Sequence, residues 1–304
     1  MSRARLPILL ALVVALVATG CGGAAPQRDG IVVTTNILGD ITRNVVGDQA
    51  EITVLMKPDA DPHSFGISAQ DAARMEQAGL IIHNGLGLEE GVSRNVHAAA
   101  DAGTPELAVG ERVDPIPYVS GDSDGQLDPH FWTDPLRVRD ATRQIAAEVI
   151  THVDGIDAAA VEANTERYAE RLTTLDRDMT AAFAPLPPER RKLVTNHHVF
   201  GYLAGRYEFD IVGAVLPSGT TLASPSASDL SGLADTIRAA GVPTIFADSS
   251  QPDRLARVLA EQAGVDVEVV PLFSESLSRP GSGAETYLDL MRSNTTAIRD
   301  GLRG

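Results

Sequence analysis

From Ile31 onward, short apolar runs rich in β-branched residues alternate with longer segments whose apolar positions recur at helical spacing. Ile31 to Thr35 reads as a strand, with a helix following through Val46. Ile52 to Met56 reads as a second strand, which runs into the turn-rich Lys57-Pro58-Asp59-Ala60-Asp61-Pro62-His63. Ser68 and Asp71 have the spacing of a capping box, and Gly79 closes that helix. Leu80 to His83 is a third strand, ended by the turn dipeptide Asn84-Gly85. A helix from about Glu89 to Ala100 and a short strand near Glu106 to Val109 complete this half. Pro115, Pro117, Gly121, Asp122, Asp124 and Gly125 mark residues 110–127 as a loop.

The loop leads into Asp128-Pro129-His130-Phe131-Trp132-Thr133-Asp134-Pro135. Asp134 is a good N-cap, and Pro135 suits a first helical turn, where a missing N–H costs nothing. A helix to about His152 is expected. A second helical segment runs from about Asp157 to Ala184, with Tyr168, Leu172, Leu175, Met179 and Phe183 on one face. At 1.5 Å per residue it spans about 40 Å. Pro185-Leu186-Pro187-Pro188 punctuates its end. The second half then repeats the pattern, with strands at Leu193 to Thr195, Asp210 to Val215, Pro243 to Ala247 and Val267 to Val270. Helices are expected at Phe200 to Tyr207, from Ser224-Pro225 to Gly241, from Pro252 to near Gly264, and from about Ala284 to Arg299.

Single helices between strands imply parallel sheets. The expected fold is therefore α/β, with two lobes, each a parallel sheet flanked by helices, joined by one long rigid helix. The expected boundaries are a signal at 1–20, a tether at 21–30, an N-terminal lobe at 31–152, a linking helix at 153–185 and a C-terminal lobe at 186–304.

The N-terminus changes the picture of where the chain works. Arg3 and Arg5 form a positive region, and Leu6 to Ala18 is an apolar run too short for a typical transmembrane helix. Ala18-Thr19-Gly20-Cys21 follows, similar to the lipobox of a bacterial lipoprotein signal, with Ala18 where leucine is usual. Cys21 is then the lipidation site and anchors the chain to the membrane. The alternative is an ordinary secretory signal with an incidental cysteine. Cys21 is the only cysteine, so no internal disulfide exists. A metal site in the folded part must be built from His and carboxylate.

Net charge is −16, and removing residues 1–20 leaves 23 basic against 41 acidic residues. Such an acidic body argues against nucleic acid, whose phosphates require basic footprints.

In open parallel sheets, ligands bind beyond the carboxyl ends of strands. His63, His197 and Asp248 follow strands, and His130 follows the long loop. Each half contributes two, so a cleft between lobes would bring them together. Sixty-seven residues separate His63 from His130 and His130 from His197, and 51 separate His197 from Asp248. These gaps exclude a local zinc finger or an HExxH helix. Each residue also has an ordinary reading: His63 as a loop histidine, Asp248 as a helix cap. His83 is accounted for by its turn, and His97 and His152 lie on helix surfaces. Asp128 and Asp134 suit capping and supporting roles better than ligation. His197 and His198 point oppositely in extended chain, so only one of them faces the cleft.

Five segments in order carry a family resemblance. They are Asp61-Pro62-His63-Ser64-Phe65, Asn84-Gly85-Leu86-Gly87-Leu88-Glu89, Asp128-Pro129-His130-Phe131-Trp132, Asn196-His197 through Phe200-Gly201-Tyr202-Leu203, and Ile245-Phe246-Ala247-Asp248. The chain resembles the metal-binding substrate-binding lipoproteins of bacterial zinc/manganese ABC importers (cluster A-I), which have one rigid helix between lobes. The resemblance implies metal ligands at His63, His130, His197 and Asp248, with His197 preferred over His198. It also implies an ABC permease as partner, a monomer, and an extracytoplasmic location, in the periplasm or on the cell surface.

Three imidazoles and one carboxylate suit tetrahedral Zn²⁺ better than Mn²⁺, which prefers more oxygen. The expected function is capture of Zn²⁺ for import, with a manganese or iron receptor of the same family as the alternative. Residues 110–127 hold no histidine, so a His-rich loop that hands over metal is not expected. A zinc hydrolase is a different class, but catalytic zinc usually keeps one position open for water. Four protein ligands would close the tetrahedron, so no catalytic residues are expected. A surface adhesin with a structural metal shares every feature of the sequence with the receptor.

Overall fold

The computed structural model describes residues 30–118, 123–264 and 267–303. The expected signal at 1–20, the anchor at Cys21 and all of the tether but Gly30 lie outside them. Among the described residues there are eight strands and nine α-helices, in strict alternation within each half. The first half runs β1 (Ile31–Val33), α1 (Asn36–Val46), β2 (Ile52–Val54), α2 (Ala69–Gln77), β3 (Leu80–His83), α3 (Ser93–Asp101) and β4 (Glu106–Ala108). Two long helices follow, α4 (Pro135–His152) and α5 (Ala158–Phe183). The second half runs β5 (Lys192–Thr195), α6 (Gly201–Tyr207), β6 (Asp210–Ala214), α7 (Ala227–Ala240), β7 (Thr244–Asp248), α8 (Arg254–Ala263), β8 (Glu268–Leu272) and α9 (Tyr287–Arg303).

All strand pairs within the sheets are parallel, in the orders β2-β1-β3-β4 and β6-β5-β7-β8. The chain direction across each sheet therefore reverses beside its first strand, between β1 and β3 and between β5 and β7. Such reversals open a crevice at the carboxyl ends of the strands.

Local chemistry sets the element ends. Ser68 and Asp71 form the expected capping box of α2. Asp134 caps α4, accepting from the Leu136 N–H at 2.8 Å, with Pro135 as the first helical residue. The cap of α7 is Ser226, two residues after the expected Ser224, because Ser226 forms a capping box with Asp229. The helix expected from Glu89 begins only at Ser93, because Glu89 turns its carboxylate back into the preceding loop.

Strand side chains alternate faces, and the core follows that alternation. Val32 and Ile81 face outward against α2 and α3, whereas Ile31, Val33, Leu80 and Ile82 face inward. In the second sheet Val194, Ile245 and Ala247 pack under α7 and α8, whereas Leu193 and Phe246 face inward. The inward sets of both sheets belong to one continuous apolar cluster. Leu172, Leu175, Met179 and Phe183 of α5 and Tyr287, Leu288 and Ile298 of α9 complete it. Helix α5 packs on α1, α4 and α9, so helices from both halves share its apolar face. Arg206 of α6 also grips Asp176 of α5 through two hydrogen bonds of 2.8 and 2.7 Å.

Candidate metal centre

Four side chains converge between the lobes. His63 lies in the turn-rich segment after β2, and His197 sits two residues beyond β5. His130 caps a single 3₁₀ turn, Phe131–Thr133, that leads into α4. Glu275 lies three residues beyond β8. One donor atom from each can be chosen so that all four lie within 4.8 Å of one another. The three imidazole centroids are 5.3 to 5.6 Å apart. Glu275 Oε1 is 3.0 Å from His197 Nε2 and 3.4 Å from His130 Nε2, and Oε2 is 3.7 Å from His63 Nε2. His63, His130, His197 and Glu275 are 2%, 0%, 0% and 1% exposed.

Despite these short distances, the facing atoms do not satisfy one another. Both nitrogens of His63 and His197, Nε2 of His130 and both oxygens of Glu275 have no hydrogen-bond partner among the described residues. Buried polar atoms are normally paired, and leaving them bare is costly. Burial keeps the imidazoles neutral: it pushes the His63 pKa down to about 4 and that of His130 down to about 3, and it lowers that of His197. It pushes the Glu275 carboxyl up to about 7. Neutral imidazole lone pairs and a carboxylate facing one point are the donor set of a divalent cation.

The cluster includes three of the four residues expected from the sequence. Asp248 is not among the four. It ends β7 and is 3% exposed, but its carboxylate is already engaged. Oδ1 accepts from the Ser250 N–H at 2.6 Å and from the Ser250 hydroxyl at 2.5 Å, and Oδ2 accepts from the Ser274 hydroxyl. Asp248 thus braces the segment that carries Glu275, and the carboxylate of the cluster is Glu275. The sequence held a signal for it: Glu275 is the only acidic residue between Glu268 and Glu285, just past the exit of a strand. His198 is outside the cluster too, and its N–H donates to the Ser218 carbonyl at 3.2 Å. His97 and His152 are exposed on α3 and α4.

Supporting residues set the orientation of His130. Its Nδ1 is 2.7 Å from Asp128 Oδ1, which also accepts the His130 N–H at 2.9 Å. A carboxylate only accepts, so Nδ1 carries the hydrogen and the Nε2 lone pair faces the cluster. Burial raises the Asp128 carboxyl to about 7. Trp132 stands against the His130 ring at 5.2 Å and donates its indole N–H to the Ser274 carbonyl at 2.9 Å. The loop at 110–127 supplies a residue the sequence did not single out: the Tyr118 hydroxyl lies 3.3 Å from His130 Nδ1.

The Asn84 to Glu89 motif holds His130 from behind. The Glu89 carboxylate accepts from the Asn84 N–H at 2.6 Å, the Gly85 N–H at 3.2 Å and the Thr34 hydroxyl at 2.7 Å. It folds Gly85, Leu86 and Gly87 into three consecutive positive φ angles of 77°, 56° and 81°, a path that glycine permits cheaply. Asn84 Nδ2 then donates to the Pro129 carbonyl at 3.0 Å, next to His130. Asn36 does the same for Glu275: Nδ2 donates to the Ser276 hydroxyl at 2.7 Å, and Oδ1 accepts the Leu277 N–H at 2.9 Å.

Residues 31–301 match the family described as zinc-uptake complex component A, periplasmic. The manganese-binding lipoprotein MntA of Halalkalibacterium halodurans is 28% identical over 297 residues, covering 96% of each chain. The periplasmic zinc binding protein TroA from Treponema pallidum superposes with a TM-score of 0.81 at 26% identity, covering 91% of this chain and 99% of TroA. A Cd-bound periplasmic metal binding protein from Candidatus Liberibacter asiaticus gives 0.79 at 29% identity, covering 90% of this chain and 100% of that one. The chain belongs to the zinc-uptake complex component A family: it is a metal-binding substrate receptor of an ABC transporter, and not an enzyme.

Proposed function

We propose that the receptor captures Zn²⁺ between its lobes and delivers it to an ABC permease, with His63, His130, His197 and Glu275 as the four ligands. The observation that carries this reading is the set of buried, unpaired donor atoms converging on one point. A three-imidazole, one-carboxylate set matches the preference of Zn²⁺ for tetrahedral nitrogen and oxygen donors. Four donors leave no vacant position for an activated water, in keeping with cargo rather than catalysis. The receptor acts as a monomer outside the cytoplasm, held to the membrane by a lipid on Cys21. No helix among the described residues is long and apolar enough to cross a membrane.

Manganese is the second reading, favoured by the names of relatives such as the manganese-binding lipoprotein of Halalkalibacterium halodurans. Competition of Zn²⁺ against Mn²⁺ on metal-stripped protein decides between them. Zinc should be retained in about one equivalent per chain under equimolar competition, as one closed site implies. Retention of manganese instead would reverse the assignment. Transfer of the protein to the soluble fraction on Cys21→Ala tests the anchor.

A further inference from the structure

Between β6 and α7, the segment Pro217-Ser218-Gly219-Thr220-Thr221 leaves the second lobe and ends against the first. Gly219 is gripped on both sides, its N–H donating to the Ser123 hydroxyl at 3.1 Å and its carbonyl accepting from the Tyr118 hydroxyl at 3.3 Å. The Thr220 hydroxyl donates to Glu90 Oε1 at 2.9 Å. The Thr221 hydroxyl donates to Asp61 Oδ2 at 2.6 Å. Glycine at 219 allows this approach, since a Cβ there would collide with the Tyr118 hydroxyl.

Two of these anchor points touch residues of the metal cluster. The Tyr118 hydroxyl is 3.3 Å from His130 Nδ1, and Asp61 Oδ1 accepts the backbone N–H of His63 at 2.9 Å. A second donor from the same lobe, Gln251 Nε2, reaches Asp61 Oδ2 at 3.1 Å. The segment therefore grips the first lobe through the side chains that orient two of its histidines.

We propose that the strap Pro217–Thr221 positions His63 and His130 through Asp61 and Tyr118, and so sets how fast the metal leaves. This rests on the reading of His63 and His130 as ligands. A hydroxyl bound to a carboxylate is a charge-assisted contact that holds the strap down. Its loss frees the strap while all four ligands stay in place. Thr221, Gly219 and Tyr118 are thus positioning residues that touch no metal.

The test follows Zn²⁺ association and chelator-driven Zn²⁺ release by stopped flow, with Mn²⁺ run in parallel. Thr221→Val should speed release about tenfold, the scale of one hydrogen bond to a charged group, with association nearly unchanged. Thr221→Ser, which keeps the hydroxyl, should restore the wild-type rate. Gly219→Ala, which pushes the strap off Tyr118, should also speed release. Wild-type release rates in both Thr221→Val and Gly219→Ala would overturn the proposal, as would a Thr221→Ser variant as fast as Thr221→Val. The wild-type titration tests the site itself: a chain that binds neither ion rejects the ligand set, whereas tight wild-type binding with unaltered variants rejects the strap alone.

Discussion

The Ser274 hydroxyl donates to Asp248 Oδ2, one residue before Glu275 in the chain. One carboxylate thus supports the segment that presents another. Glu275→Gln should reduce Zn²⁺ affinity by well over the roughly 10–100-fold that follows loss of a supporting partner, whereas Asp248→Asn should stay within that range. Titration calorimetry on both variants checks the order, and a more damaging Asp248→Asn would restore Asp248 as the ligand.

Asp128 fixes the tautomer of His130 through a 2.7 Å contact. Asp128→Ala leaves the ring free to turn and to move its proton to Nε2, so affinity should drop by roughly 10–100-fold. Gly201→Ala should act in the same direction, because a Cβ at that position would sit 2.6 Å from Asp128 Oδ2. Affinity unchanged in both variants would show that the ring needs no such support.

The pH dependence of binding should come from carboxyls before imidazoles. In the metal-free protein Glu275 and Asp128 are raised to about 7, while His130 is lowered to about 3 and His63 to about 4. Above pH 7 the carboxylates are already ionised, and loading displaces no proton from the site. Below pH 7 the protons on Glu275 and Asp128 must leave, so affinity falls with acidification, by about tenfold per pH unit for each proton displaced. The imidazoles add to the fall only nearer pH 4. Calorimetry in two buffers of different ionisation enthalpy should show proton release at pH 6 and almost none at pH 8.5; equal release at both would contradict these assignments.

Glu89 should matter for folding more than any other buried acid outside the cluster. Glu89→Ala strands the Asn84 and Gly85 backbone N–H groups, at roughly 1–3 kcal/mol for each buried group left unpaired, and leaves the Thr34 hydroxyl only its long 3.5 Å contact to the Ile82 carbonyl. Denaturant unfolding of the metal-free protein should show a loss of about 3 kcal/mol or more. A loss under about 1 kcal/mol would mean that water replaces the carboxylate.

The fold was legible because each strand is flanked by its own stop signals. The pairs Ser68 with Asp71 and Asp134 with Pro135 set helix starts by purely local chemistry. The three histidines of the cluster were legible for a related reason, since His63 and His197 lie in segments that leave strands and His130 stands where a long loop turns into a helix. Which carboxylate sits beside them was not, because Asp248 ends one strand and Glu275 follows another, and only the folded hydrogen bonds reveal that Asp248 is already engaged. Tyr118 was hidden differently. Its loop reads as polar and turn-rich, and nothing local shows that a ring from it reaches His130. The late start of α3 at Ser93 had the same origin, a buried partner for Glu89 supplied by distant Thr34.

The apolar cluster that runs unbroken through both sheets constrains how the permease can tell a full receptor from an empty one. Parting ~200 Å² of that cluster would cost roughly 5 kcal/mol, more than the few hydrogen bonds of the strap. The silhouette of the molecule should therefore stay constant through a transport cycle, and small-angle scattering should give the same radius of gyration with and without Zn²⁺. Recognition then falls to the fine relief of the loops around the cargo, read like a key's teeth rather than its outline.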